Sequence, residues 1–500
     1  MVALPLTSGA YSSQSLIADA QRSINLYPEK NPENTRPPMP VTHYPRPGLT
    51  TLSAPPVQGM GRCLYAASNG ALYAVVANNI YYINSDFVWT LLGVLQTPGN
   101  TPVIMADNGT TILAVDGDQT ADLITLGTNA FAFNGDPNFL GARGVDFIDG
   151  FLVMDVAGTN KWQSTLAESV TFNLLYQGVK TASPDPIQRV ICCERQVYLL
   201  GTRKSEPWVN VGAVPFPFNI QPGMIIEQGC AAPYSACKQD TNVYWLSQSP
   251  EGARMIMKVN AQNVAERIST HAIETEFLKY LRVDDCLSDT YQISGHSFIR
   301  FHFPSADKTW VYDQATGQWF EDNWIDNNGV LHRARNAFSA YAYGLNLGLD
   351  WANGALYQID QQAFTDAGQP IVHIRSFPHI INELKYVNYM GFVADFETGT
   401  LAGSDETTKT VSPWSPGFSS GFGPLTVVDT PTLNLRYSND GGYTWSNNRP
   451  KKMMSAGRYR SMMRWRGLGK ARDRVYELGW SAPMKTALQG AYYDAQPGAS

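Results

Sequence analysis

The run Phe298-Ile299-Arg300-Phe301-His302-Phe303, followed by Thr309-Trp310-Val311-Tyr312-Asp313 and, across Thr316-Gly317, by Gln318-Trp319, reads as successive short strands with a tight turn at the tip of the last hairpin. Aromatic and β-branched residues dominate both runs, and the glycine supplies the turn conformation that a hairpin needs. The same texture recurs at 72–76, 80–83, 112–115, 151–154, 196–200 and 243–246, with further turns at Asn69-Gly70 and Asp149-Gly150. Unit starts near Cys63, Val103, Val145, Arg189, Ala231, Cys286 and Ala337 fall roughly forty to fifty-five residues apart, which suits four short strands per unit. Seven such units close a ring. Residues 59–365 are therefore expected to form a β-propeller of six to eight blades, with an open run of sandwiches as the competing arrangement.

The flanks differ from this centre. Residues 28–56 hold nine prolines, so 1–58 is expected to be an extended N-terminal arm that packs against the C-terminal region or reaches a neighbour. Residues 366–500 alternate in β fashion at 386–396, 432–438 and 474–481 without the blade rhythm, and read as a C-terminal β-sandwich with a long loop over 399–423. The β texture breaks once. Over 264–281, Ile273, Phe277 and Leu281 are spaced four apart behind Ser269-Thr270, which predicts a capped helix of about three turns.

The 500 residues carry only 16% charged side chains, against about 25% in ordinary domains, together with 12% aromatics. This excludes a disordered chain, and 42 glycines with 31 prolines exclude a helical bundle. Low charge on a chain of this size calls for surface hidden within the molecule or against neighbours. The net charge of -6 divides unevenly, because Arg449 to Arg474 holds ten Lys/Arg against Asp473 alone, leaving -15 elsewhere. A general nucleic-acid binder held by phosphate contacts is not expected from that balance. No apolar run reaches the length of a transmembrane helix, and Met1-Val2-Ala3-Leu4-Pro5-Leu6 is not expected to be a leader, lacking a basic start. The six cysteines have no metal-ligand spacing and are expected to be buried thiols of a protein made in reducing cytoplasm.

No catalytic, cofactor or metal motif is present: there is no G-x-S-x-G, P-loop, G-x-G-x-x-G or H-E-x-x-H spacing. Asp284, Asp285, Asp322 and Asp350 are the carboxylates that a ring could bring together for glycoside hydrolysis, though none has a recognisable catalytic setting. His296 and His302 share a strand face, as structural histidines do. Ser438-Asn439-Asp440-Gly441-Gly442-Tyr443-Thr444-Trp445 fits the Asp-box turn, in which Asp440 accepts backbone N–H groups, Gly441 and Gly442 permit positive φ, and Trp445 packs beneath. By strand parity Arg458, Arg460, Met462, Arg464 and Arg466 share one face, opposite Tyr459, Ser461, Met463 and Trp465. A ladder of guanidiniums is either a solvated, internally paired sheet face or a contact for carboxylates or phosphates.

Arg22-Ser23-Ile24-Asn25-Leu26-Tyr27-Pro28-Glu29, with Arg46-Pro47-Gly48-Leu49, resembles the opening of the packaged-DNA stabilization protein family of tailed phages. The stretches Asp440 to Trp445, Gly457 to Arg460, Trp465 to Asp473 and Val475 to Leu478 look like its terminal signature, and Trp310-Val311-Tyr312-Asp313 with Thr316-Gly317-Gln318-Trp319 is similar to its internal motif. One departure is Arg46, where Thr is expected before Pro-Gly-Leu. The resemblance implies a non-enzymatic virion protein, the tail hub or nozzle of a short-tailed bacteriophage, assembled in the host cytoplasm. Six copies would form a homohexameric ring below the portal and its adaptor, retain the packaged genome and conduct double-stranded DNA during ejection without reading its sequence. Tail spikes or fibres and a plug or needle protein would attach to it. An acidic lumen would repel the DNA backbone and let it slide. Arg458, Arg460, Arg464, Arg466, Trp465, Asn25 and Tyr27 then form the candidate partner interface. The alternative is a propeller-type glycan-binding or sialidase-like hydrolase of a phage tail.

Overall fold

The two runs that open the reading lie in strands His296–Phe303 and Lys308–Asp313, paired antiparallel with Phe301 opposite Trp310. They belong to one of a set of four-stranded antiparallel sheets. The structure, a computed structural model, describes all residues except 8, 33–39, 250, 384, 400–430, 454–458 and 499–500. Among the described residues, six such sheets are built from consecutive strands and span 61–94, 104–133, 145–179, 187–220, 237–267 and 287–321, here blades 1 to 6.

A seventh, composite unit joins Asn336–Ala342, Leu345–Asp350 and Leu356–Asp360 to Gly48–Ser53, a strand from the N-terminal part of the chain, with Ile359 opposite Leu49. Its inner strand packs against both Leu287–Ile293 and Gly61–Ala66, so the ring closes. Closure by a distant strand leaves blade 7 no unpaired edge on that side. Gly48 is required there: a Cβ would meet the Ala363 carbonyl oxygen at 2.5 Å and that of Thr365 at 2.6 Å.

Adjacent blades share apolar layers, since a sheet buried on both faces must pack each face against a neighbour. Blades 1 and 2 meet through Tyr73, Ile80, Val103, Ile112 and Ile124, and blade 7 meets blade 1 through Leu347, Leu349, Leu64 and Leu72. The helix runs from His271 to Lys279, capped by the Thr270 side chain accepting from Ile273 N, with Ile273 and Phe277 buried. It stops short of Leu281, which is 97% exposed, because the backbone turns extended at Tyr280 and Arg254 takes up the Phe277 and Tyr280 carbonyls at 2.6 and 2.8 Å. No helix is long and apolar enough to cross a membrane among the described residues.

The C-terminal part is two packed sheets. One orders Arg460–Arg466, Val387–Thr398, Thr486–Pro497, Val41–Pro45 and Leu26–Lys30, and the other carries His373–Ser376, Asp473–Trp480, Thr432–Ser438 and Arg449–Lys452. Phe392, Phe396, Leu433, Leu435, Trp465, Tyr476, Leu478 and Trp480 fill the space between them. The first 58 residues are woven into both halves of the molecule. Ser23–Ile24 stands between Gln318–Glu321 of blade 6 and His373–Ser376, making one sheet continuous from propeller to sandwich. The loop expected over 399–423 lies, from residue 400 onward, outside the described residues.

Candidate partner interface

Arg460–Arg466 is an edge strand whose burial alternates strictly: Ser461, Met463 and Trp465 face the core, while Arg460, Met462, Arg464 and Arg466 face outward. Trp465 anchors the register by donating its indole N–H to the Arg449 carbonyl at 2.8 Å. The outward guanidiniums are not equivalent. Arg460 forms a two-point pair with Asp395 at 2.8 and 2.6 Å, where the arginine side chain is 53% exposed and the carboxylate 3%. Arg464 and Arg466 make no ion pair among the described residues. Arg458 lies outside the described residues.

The rest of the basic stretch is divided between surface and interior. Lys470 and Arg472 lie over the Tyr386 ring at 5.4 and 4.6 Å. Arg474 is interior: its guanidinium sits between Tyr389 and Tyr437 at 4.3 and 4.1 Å and donates to Asn439 Oδ1 and the Leu468 carbonyl. It fastens the sandwich and has no surface to offer.

The turn at 438–445 is held by side chains. Asp440 accepts from Thr444 N at 2.8 Å and from the Ser438 hydroxyl at 2.6 Å, and Gly441 and Gly442 sit at φ 78° and 101°. Burial pushes the Asp440 carboxyl up, but the hydrogen bonds from Ser438 and Thr444 together outweigh it and hold the carboxyl down at about 2. Trp445 is half-buried and receives the Arg436 guanidinium over its ring at 4.7 Å. The turn is packed against the N-terminal segment, since a Cβ on Gly442 would meet that of Ala20 at 3.2 Å.

Asn25 and Tyr27 do not reach the surface, which corrects their assignment to the interface. Asn25 is fully buried in a left-handed conformation (φ 56°), and its amide donates to the Asn323 and Val372 carbonyls at 3.0 and 2.8 Å. Its Oδ1 accepts from Asn323 N and from Arg46 Nε. Tyr27 is 2% exposed, edge-on to His296 and Phe298. The physical reason is the join between propeller and sandwich. At Asn25 the backbone crosses from Ser23–Ile24, which joins blade 6 to the second sheet, into Leu26–Lys30 of the first, and its polar groups need partners out of reach of water.

Arg46, the departure from the family's opening, is the charged centre of that join. Its guanidinium is 5% exposed, meets Asp322 at 2.6 Å and Asp366 at 2.5 Å, and donates to the Pro47 and Asn323 carbonyls. Burial opposes its charge, but the two aspartates more than offset this and raise its pKa. The only signal in the sequence is an arginine before Pro-Gly, which does not reveal carboxylates some 280 and 320 positions away.

The carboxylates considered for hydrolysis do not converge. Asp284 pairs with Arg282 at the surface, Asp285 accepts from Ser305, Asp322 faces Arg46 and Arg300, and Asp350 is held by Arg335 and the Tyr357 hydroxyl. His296 is bonded to Asp313, and His302 to Asp289 and Thr309. All six cysteines are free thiols, five buried and Cys237 partly so.

A family model described as bacteriophage P22 Gp10, beta-propeller, matches residues 2–363. No curated protein matches. Among solved structures, virginiamycin B lyase from Staphylococcus aureus is similar at 10% identity and a TM-score of 0.43, covering 62% of this chain and 98% of that one. The extracellular domain assigned to a one-component system, BT4673, from B. thetaiotaomicron has 8% identity and a TM-score of 0.43; the match covers 62% of this chain and spans only 39% of that chain. The WD40 beta propeller domain of Doa1 has 9% identity and a TM-score of 0.38 over 62% of this chain and 96% of its own.

Proposed function

This chain belongs to the phage P22 Gp10 family of packaged-DNA stabilisation propellers, and we propose that within the virion it is a tail hub, or nozzle, subunit. Six copies of it form a ring that extends the portal-adaptor channel. The ring retains the packaged genome and lets DNA pass at ejection. Adaptor, spikes or fibres, and a plug or needle protein dock on it.

The observation that carries this reading is the exposed edge strand with Arg464 and Arg466 facing outward and unpaired within the described chain. An acidic partner surface, on the adaptor or the next subunit, would complete those guanidiniums bidentately. Apolar side chains on the outer strands of successive blades add support: Leu91 and Val94, Phe133, and Leu174 and Leu175 lie exposed. They match a surface that neighbours cover.

The test is Arg464→Ala/Arg466→Ala in the full chain, assayed by sizing with and without phage heads that lack this protein. The expected outcome is a folded variant that fails to assemble on heads or to retain their DNA. Unchanged ring assembly, docking and DNA retention would refute the role of the strand, and a chain that never docks but releases sugar from host glycan would overturn the hub reading itself.

A further inference from the structure

The geometry points to a small-oxyanion site, for phosphate or sulfate, in the axial cavity of the propeller, with Arg189 as its ligand. The cavity is about 620 Å³ and is lined by the inner strands of blades 1 to 5 through Tyr65, Met105, Val145, Arg189, Ile191 and Cys237. Arg189 stands on the inner strand of blade 4, Ile187–Cys193, where a register shift between Ile187 and Arg189 interrupts the ladder. Such bulges re-aim a side chain.

The Arg189 side chain is 7% exposed, and its Nε and Nη1 are buried with no hydrogen-bond partner among the described residues. It lies flat along blade 3: a Cβ on Gly144 would fall 2.2 Å from Nη1. Every other charge near the cavity is already engaged. Asp146 pairs with Lys238 at 2.9 Å and accepts from Cys192 N, while Asp107 accepts from the Tyr65 hydroxyl at 2.7 Å and Ser68 N at 3.0 Å. Arg143 donates to Gln188.

Asp155 feels the charge of both Arg189 and Arg143. It is fully buried, accepts from Gly144 N and Arg143 N, and stands beyond ion-pair distance of Arg189 among the described residues. In the cavity wall Lys238 is matched by Asp146, and Asp107 is held by Tyr65 and Ser68, so Arg189 is the lining charge left without a partner among the described residues. A guanidinium cannot shed its proton, so burying it unpaired is costly until an anion arrives. Its planar fork suits two oxygens of one oxyanion, and the apolar walls strengthen that contact. The site is internal to one subunit and independent of the tail role.

Calorimetric titration of the full chain with inorganic phosphate, and separately with sulfate, at constant ionic strength set by chloride, tests this. Saturable one-to-one binding is expected, weakened at least about tenfold in Arg189→Gln and to a lesser degree in Arg189→Lys, since a single ammonium replaces a fork. Absence of saturable binding in the unaltered chain would overturn the site, as would equal affinity in Arg189→Gln. Should Arg189→Gln fail to fold, Arg189→Lys decides: weaker binding supports the site and unchanged affinity overturns it.

Discussion

Replacing Arg46 with Met keeps the volume and removes the charge, and the consequence can be worked out from its surroundings. Asp366, 1% exposed, loses two guanidinium contacts, and Asp322, 2% exposed, keeps only the Arg300 contact at 3.7 Å. The cheapest escape is for Asp366 to be protonated in the folded state, toward which burial and Asp322 already push it. Holding an aspartic acid neutral at pH 7 costs 1.36 kcal/mol per unit above an unfolded pKa of about 3.9, or about 4 kcal/mol. At pH 5.5 the same argument gives about 2 kcal/mol. The sign follows from linkage: a raised folded pKa makes the loss vanish below the unfolded pKa and grow as pH rises. Urea denaturation of the variant and the unaltered chain, followed by tryptophan fluorescence at both pH values, measures the difference. Hydrogen exchange at 321–326 and 366–376 locates it. Arg46→Met/Asp366→Asn is expected to recover most of the loss, because breaking a buried pair is what costs and removing both partners is far milder. A loss that is independent of pH and not relieved by Asp366→Asn would refute the electrostatic account and leave only shape.

Two other outcomes follow from the fold. Gly48→Ala drives a methyl into two carbonyl oxygens at the ring closure, so blade 7 should lose its fourth strand; increased proteolysis and exchange at 48–53 and 356–360, with blades 2 to 4 unchanged, is the expected pattern. Burial pushes the His373 imidazole down to about 3, even though the Asn25 carbonyl it bonds at 3.0 Å pulls the other way. The unfolded chain therefore takes up a proton that the folded one refuses, and stability should fall as pH drops from about 6.5, by about 2 kcal/mol at pH 5. His296, raised by its bond to Asp313, works in the opposite direction, so the slope should steepen in His296→Gln and flatten in His373→Gln, as read by thermal unfolding across that range.

Much of the architecture was legible in the residues because its causes are local. Strand 432–438 has the bounds expected of its alternation, and inner strands begin at Gly61, Ile104, Val145, Ile187, Leu287 and Asn336, within two residues of the starts inferred from spacing. Blade 5 differs: its inner strand begins at Cys237 and not near Ala231, because Pro233–Ser235 forms a turn of 3-10 helix ahead of it. Leu281 continued the helical spacing on paper, yet spacing cannot foresee a distant arginine closing the helix at Tyr280.

For the candidate interface, parity correctly placed Arg460, Arg464 and Arg466 outward and Trp465 inward. What separates Arg460, tied to Asp395, from Arg464 and Arg466, and these from the interior Arg474, is invisible to it. The sequence by itself determined the strands, their rhythm and the self-bonded Asp440 turn, since period-two alternation and hydrogen bonds within a few residues need no knowledge of the rest of the chain. Only the tertiary structure decided that Gly48–Ser53 completes the ring, that Asn25, Tyr27 and Arg46 lie at a buried join, and that Arg189 in the axial cavity is left without a hydrogen-bond partner among the described residues. Those outcomes depend on which groups meet across hundreds of residues, and a buried charge takes its meaning from the partner the fold brings to it or withholds.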